Sequence, residues 1–103
     1  DWDKSLYLAA EPGEYVLTAR KAKGKDEWFV GCTAGDNGYK TDLRLDFLTP
    51  GRTYTATLYA DAPGTAWNKR PEAYVIKTLT VDRNTVLKEL VAGAGGGFAL
   101  SIR

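Results

Sequence analysis

The sequence predicts an all-β fold, an antiparallel two-sheet β-sandwich of seven to eight strands. Apolar and polar residues alternate with a period of two in several segments, as they do in strands with one buried face. Clusters of Gly, Pro, Asn and Asp separate these segments at short intervals, which is typical of sandwiches and barrels. The chain has 103 residues, of which 44% are hydrophobic and 26% are charged. These values indicate one globular core, so we expect a single domain over residues 1–103.

A β-hairpin is expected near the start of the chain. Residues 14–20 are rich in β-forming side chains, and residues 27–33 repeat that pattern from Trp28 onward. Between them, residues 21–26 form a charged segment around Gly24, which suits a solvated turn. Trp28 lies inside the second strand and is therefore expected in the core.

The middle of the chain predicts two further strands. After a turn cluster at residues 34–38, three apolar residues alternate with polar ones over residues 43–47. Residues 49–51 read Thr-Pro-Gly, a combination that ends a strand. Residues 52–61 show the clearest alternation, with Tyr, Ala, Leu and Ala on one face and Thr and Tyr on the other.

The last third of the chain predicts a loop followed by three strands. Residues 62–71 contain two prolines and break the pairing, and residues 72–81 resume the strand pattern. Residues 85–91 predict another strand, with one short helix over residues 84–92 as the alternative. Residues 98–102 alternate again and predict the final strand. The side chains that we expect in the core are Trp28, Leu45, Tyr54, Leu58, Ile76 and Phe98.

The composition excludes several classes of function. The sequence contains no histidine and a single cysteine, Cys32, which removes Ser-His-Asp and Cys-His catalysis and the zinc sites built from those ligands. A formal charge of +1 predicts no nucleic-acid partner. No apolar run is long enough for a membrane span, so we expect no membrane insertion. One cysteine cannot form an internal disulfide.

Three motifs suggest chemistry but are better explained as surface turns. The glycine-rich residues 93–97 lack the Lys-Ser/Thr pair of a phosphate-binding loop and precede a strand instead of a helix. The sequence Asp-Asn-Gly at residues 36–38 lacks the alternating acidic ligands and the closing Glu of a calcium loop. The basic residues between Arg20 and Lys25 lie at a hairpin tip, where acidic neighbours dilute their charge. We therefore predict neither catalytic nor metal-binding residues in this chain.

The aromatic residues give the strongest signal for an alternative function. Sugar rings pack on aromatic side chains, so Trp67 and Tyr59 could form the platform of an autonomous carbohydrate-binding module. Trp67 lies in the proline-containing loop and is expected to be half-exposed. Trp2, near the terminus, is expected to pack on a neighbouring domain.

Five motifs occur in an order and at a spacing that match a known family. They are Trp2-Asp3, EPGEYV at residues 11–16, WFVG at 28–31, GRTYTATLYAD at 51–61 and GGGFA at 95–99. Together they resemble the C-terminal domain of glycoside hydrolase family 97, and the likeness spans almost the whole chain. The block at residues 51–61 is the most telling part.

The resemblance implies a non-catalytic C-terminal accessory domain of an α-glucosidase or α-galactosidase from Bacteroidetes. In the implied parent, a central (β/α)8 barrel carries the catalytic carboxylates and a calcium ion, so no catalytic residue or cofactor is carried over to this chain. The implied partners are the catalytic barrel of the same polypeptide and further copies in a homo-oligomer. The implied location is the periplasm or cell envelope. The chain begins at Asp1 and contains no methionine, as expected for a piece of a larger protein.

Overall fold

The computed structural model describes residues 2–61 and 74–103, and its regular structure there is entirely β. This confirms the predicted fold class. The eight strands are β1 (Trp2–Glu11), β2 (Tyr15–Ala22), β3 (Trp28–Ala34), β4 (Tyr39–Arg44), β5 (Tyr54–Asp61), β6 (Tyr74–Val81), β7 (Val86–Ala92) and β8 (Gly97–Ile102).

The strands form two antiparallel sheets. Six of them pair in the order β1-β2-β3-β8-β5-β6, and β4 pairs with β7 in a separate two-stranded sheet. The small sheet covers the middle of one face of the large sheet, and β7 contacts β3, β5 and β8. The large sheet therefore has an inner face, which packs against β4 and β7, and an outer face.

One hydrophobic core fills the space between the two sheets. Of the side chains predicted to be buried, Trp28, Leu45, Tyr54 and Phe98 are at most 4% exposed. Leu58 is half-buried at the edge of this core. The remaining members are Leu17, Ala19, Val30, Cys32, Leu43, Leu48, Ala56, Val81, Leu87, Leu90, Ala92, Leu100 and Ile102.

The prediction for Ile76 is wrong, because its side chain is 65% exposed. Ile76 pairs with Tyr59, whose side chain points to the outer face of the large sheet. The inner face of β6 is occupied by Leu79 and Val81, which alternate out of phase with Ile76. A strand with apolar residues on both faces does not show from its own sequence which face is inward.

One strand differs from its predicted extent, and another was not predicted. The strand predicted at residues 43–47 ends at Arg44, and Leu45 begins a turn in which the amide of Leu48 donates to its carbonyl over 3.1 Å. Leu45 and Leu48 are nevertheless buried, since the turn folds over the core. β1 was not predicted, because a register shift between Tyr7 and Ala9 interrupts its alternation.

Of the two alternatives for residues 84–92, the strand forms. The spacing of its buried residues Leu87 and Leu90 is three, which is also a helical spacing. The cause is a bulge at Glu89, whose backbone has a φ of 54°. The Asp42 carboxylate accepts the amide of Glu89 over 2.9 Å and holds the bulge in place.

Candidate interaction surface

The outward face of the small sheet carries charged side chains of both signs, which form ion pairs with one another. Lys40 lies 3.1 Å from Glu89, and Lys88 lies 3.5 Å from Asp42 across the two strands. These ion pairs are largely exposed, so they contribute little to stability. The hydrogen bond from the Glu89 amide is the main reason that the pKa of Asp42 is lowered. This face therefore suits contact with water.

The outer face of the large sheet carries few charged side chains. One row of paired residues crosses all six strands of this face, and we call it the central row. In this central row the middle residues are small and the end residues are large. From β1 to β6 the row reads Tyr7, Thr18, Gly31, Ala99, Tyr59 and Ile76.

Two flanking rows continue the same outer face. One contains Ser5, Arg20, Phe29, Ser101, Thr57 and Thr78, and the other contains Ala10, Val16, Thr33 and Gly97. Arg20 is the one charged residue in the three rows. Five of the eight large hydrophobic side chains that are exposed in the described residues belong to them. The outer face is thus an apolar and hydroxyl-bearing surface.

The small residues of the central row form the floor of a trough. Tyr7, with 75% of its surface exposed, stands on one side, and Tyr59, 44% exposed, stands on the other. They lie four strands apart, which corresponds to about 19 Å. A depression of about 340 Å³ occupies the part of the trough next to Tyr7 and above Gly31. A Cβ atom added at Gly31 would meet no atom within 4 Å, so this space is open.

A polar cluster at one end of the sandwich has a structural role. The Asp26 carboxylate accepts hydrogen bonds from the Tyr54 hydroxyl at 2.6 Å and from the Arg52 guanidinium at 2.7 Å. Arg52 also lies over the Tyr54 ring, 4.3 Å from its centroid. Partial burial alone would raise the pKa of Asp26, but the hydrogen bonds from Tyr54, Arg52 and Thr49 and the positive charge of Arg52 together outweigh it, and the pKa is lowered. A carboxylate that is held ionised and bonded in this way is not poised for proton transfer.

The glycine-rich residues 93–97 form a turn, as predicted. The amide of Gly96 donates to the carbonyl of Gly93 over 2.8 Å, and the amide of Gly95 donates to Gly35 over 2.9 Å. These amides have internal partners and are not arranged to bind phosphate.

The cysteine, Cys32, is buried, and burial raises the pKa of its thiol. Within residues 2–61 and 74–103, no three acidic, Cys or His side chains converge in a way that would hold a metal ion.

Comparisons with known proteins decide the family. Residues 1–103 match the family described as "Glycosyl-hydrolase 97 C-terminal, oligomerisation". The chain belongs to this family. It is 34% identical to the retaining α-galactosidase of Bacteroides thetaiotaomicron over 102 residues, which make up 99% of this chain and 14% of that protein. The chain therefore spans about one seventh of this curated relative.

Two solved structures share the fold of this family 97 domain. A glycoside hydrolase family 97 enzyme from Pseudoalteromonas sp. strain K8, in complex with panose, matches with a TM-score of 0.93 and 25% identity. The match covers 100% of this chain and 16% of the enzyme. A β-arabinopyranosidase crystal structure matches with a TM-score of 0.70 and 26% identity, over 99% of this chain and 14% of the other.

The family 97 domain offers limited support for a sugar platform. Tyr59 is exposed, but its paired neighbours are Ile76 and Ala99, which have no polar side-chain atom for a sugar hydroxyl. Trp67, the other predicted platform residue, lies outside the described residues, and so does the side chain of Trp2. Trp28 is in the core as predicted, with its ring 4.8 Å from that of Phe47.

Sequence reasoning missed the trough in the family 97 domain. Its floor joins Thr18, Gly31 and Ala99, which lie far apart in the sequence and meet only through strand pairing. Tyr7 belongs to the strand that was not predicted. The stacked pair of Tyr15 and Tyr39, with centroids 3.7 Å apart, was also missed, because it joins β2 to β4 and these strands belong to different sheets.

Proposed function

We propose that this chain is a non-catalytic accessory domain of a family 97 glycoside hydrolase that acts on α-galactosides or α-glucosides. In this proposal it packs on the catalytic barrel of the same polypeptide and contributes to contacts between copies. Support comes from the family description, which names oligomerisation, and from the small fraction of each relative that the chain matches.

The observation that carries this proposal is the outer face of the large sheet. Isolated soluble domains usually expose apolar side chains singly, whereas contiguous apolar patches mark interaction sites. Here Tyr7, Phe29, Tyr59 and Ile76 are all exposed on one face, with small residues between them. The chain therefore presents a surface for protein contact and no constellation for catalysis in its described part.

The substrate class and location of the parent belong to the same proposal. The curated relative is a retaining α-galactosidase, and the Pseudoalteromonas enzyme was solved with panose, which supports an α-linked substrate. We also propose that calcium belongs to the parent's catalytic part, as the family resemblance implies. The periplasm or cell envelope of a Bacteroidetes cell is the proposed location. No described segment is a helix that could cross a membrane.

The test compares the 103-residue chain with the longer polypeptide that the proposal requires. The chain alone should hydrolyse neither p-nitrophenyl α-galactoside nor α-glucoside, and the longer polypeptide should hydrolyse at least one of them. Calorimetric titration of the chain with melibiose and maltose should give no binding tighter than about 1 mM. Hydrolysis by the chain alone would overturn the accessory role. Tighter sugar binding that is lost in Trp67→Ala would favour the carbohydrate-binding module instead.

A further inference from the structure

We propose that Asn37 is a site of spontaneous deamidation, and that opening of the turn at residues 35–38 limits the rate of this modification. The sequence Asp-Asn-Gly at residues 36–38 lies in a surface turn, as predicted. The amide of Gly38 donates to the carbonyl of Gly35 over 3.0 Å and closes the turn. Asn37 is exposed at the third position of this turn, directly before the glycine.

Deamidation joins the side chain of an asparagine to the backbone nitrogen that follows it. Here the nitrogen of Gly38 bonds to Cγ of Asn37, the bond from Cγ to Nδ2 breaks, and ammonia leaves with the proton of the Gly38 amide. Water then opens the cyclic imide. Attack at Cγ gives an aspartate, whereas attack at the backbone carbonyl gives an isoaspartate, in which the chain runs through the former side chain. Overall one water is consumed and one ammonia is released, so water is the only co-reactant.

The glycine after Asn37 favours this reaction, because no side chain shields its nitrogen. Asn84 provides a comparison within the described residues. It is exposed at the same position of a turn in which the amide of Thr85 donates to the carbonyl of Asp82 over 3.1 Å. The two turns differ in the residue that supplies the nitrogen, since the β-branched side chain of Thr85 crowds its approach. We therefore expect Asn37 to react and Asn84 to stay intact.

The closed turn engages both reacting groups. The amide of Gly38 is bonded to Gly35, and the side-chain amide of Asn37 donates to the Glu14 carboxylate over 3.5 Å. Neighbouring segments fix the turn, because the amide of Gly35 donates to the carbonyl of Glu14 over 2.7 Å and its carbonyl accepts the amide of Gly95 over 2.9 Å. Gly38 must release its hydrogen bond before its nitrogen can attack, so only molecules with an open turn react.

The two products should affect the fold differently. An aspartate at position 37 replaces the hydrogen bond to Glu14 with a repulsion between carboxylates, which is weak because both groups face water. An isoaspartate lengthens the backbone by one atom before Gly38. That residue has little room to move, since a Cβ atom added to it would lie 2.9 Å from the carbonyl oxygen of Ala92. The isoaspartate should therefore break the turn where it leads into β4.

Peptide mapping by mass spectrometry tests the proposal on the folded 103-residue chain, with an isoaspartyl methyltransferase to detect the isoaspartate. We expect both products to accumulate at position 37 and none at Asn84. In urea every turn is open, so conversion at position 37 should be about tenfold faster or more. If Asn37 stayed intact in the folded chain while the unfolded chain reacted, the site would be refuted. Equal rates in the two conditions would refute control by the turn.

Two variants test the roles of the neighbouring residue and of the side chain. Thr85→Gly places a glycine after Asn84 and should make Asn84 react in urea at a rate similar to that of Asn37. Asn37→Gln lengthens the side chain by one carbon, so the five-membered imide cannot form and position 37 should stay unmodified. An unreactive Asn84 in Thr85→Gly, or products at Asn84 in the wild-type chain, would contradict the role given to glycine.

A third variant separates the charge of the product from its longer backbone. Asn37→Asp carries the charge alone and should unfold at nearly the wild-type urea midpoint. The isoaspartyl form, purified by chromatography, should unfold at a lower urea concentration because the turn bond from Gly38 to Gly35 is lost. A wild-type midpoint for the isoaspartyl form would show that the turn accommodates the extra atom, and would overturn the expected damage to the fold.

Discussion

Gly97 lies so close to the backbone carbonyl of Cys32 that a Cβ atom at position 97 would overlap the carbonyl oxygen. The contact joins β8 to β3 at the centre of the large sheet, and the obstructing atom belongs to the backbone. Neither strand can shift without disturbing its own ladder of hydrogen bonds. Position 97 therefore requires glycine, because any larger side chain would collide with the backbone of β3.

Gly97→Ala should destabilise the domain by about 1–3 kcal/mol, the usual cost of forcing a methyl group into a filled site. The urea midpoint of unfolding measures this loss. Gly31→Ala is the matched control, since it lies in the same sheet with open space around its Cβ position. The control should change stability by less than about 0.5 kcal/mol. If both variants lost the same stability, the flexibility of glycine in a strand would explain the need for glycine at position 97, and the contact with Cys32 would not.

The core is expected to respond to truncation at Leu100 and not at Ile76. Leu100 is fully buried on the inner face of β8, so Leu100→Ala should cost about 2–5 kcal/mol. Ile76 is mostly exposed, so Ile76→Ala should stay within about 0.5 kcal/mol in the isolated chain. Chemical denaturation of both variants provides the measurement. A large loss at Ile76 alone would mean that the outer face of the large sheet is covered in solution.

The strands with an unbroken alternation were the easiest to locate from the sequence. Residues 52–61 and 98–102 are examples, and both became strands inside the large sheet. β1 was missed and β7 was ambiguous, because a bulge changes the period of the pattern at Leu8 in one and at Glu89 in the other. A bulge depends on hydrogen bonds to a partner strand, which the local sequence does not reveal.

The interaction surface was harder to predict than the strands. The order β3-β8-β5 joins segments from opposite ends of the chain, and it is this order that places Gly31, Ala99 and Tyr59 side by side. The inward face of β6 is likewise set by its pairing with β5. This pairing is not visible in the sequence of β6, so Ile76 was wrongly assigned to the core. The absence of histidine, by contrast, is visible in the sequence and needs no structure.

Stability should depend on pH through Asp26. Its folded-state pKa is lowered, so the stabilisation is present above the ordinary carboxyl pKa of about 3.9 and is lost as the pH falls through the folded value. Asp26→Asn should therefore flatten the acid side of the curve of unfolding free energy against pH. Asp42 has a lowered pKa as well and contributes in the same direction. The control is Asp46→Asn, an exposed carboxylate 3.8 Å from Arg44. A curve for Asp26→Asn that parallels the wild-type curve would contradict this assignment.

Tyr54 and Asp26 should act as one unit. The Tyr54 hydroxyl donates to the Asp26 carboxylate and accepts the amide of Thr49 over 3.1 Å, so it links the turn before β3 to the turn before β5. Tyr54→Phe keeps the buried ring and removes the hydroxyl, which should cost about 1–3 kcal/mol because the carboxylate loses a partner. In a double-mutant cycle with Asp26→Asn, the two losses should fall short of additivity by about 0.5–3 kcal/mol.

The cycle is measured by urea denaturation at pH 7, where Asp26 is ionised in both the folded and unfolded states. Tyr59→Phe is the control for loss of a tyrosine hydroxyl, since Tyr59 is exposed on the outer face and lies on the same strand. Its combination with Asp26→Asn should be additive within about 0.5 kcal/mol, as expected for residues without shared partners. Additivity of Tyr54→Phe with Asp26→Asn would mean that the 2.6 Å hydrogen bond adds nothing beyond what Arg52 already supplies to the carboxylate.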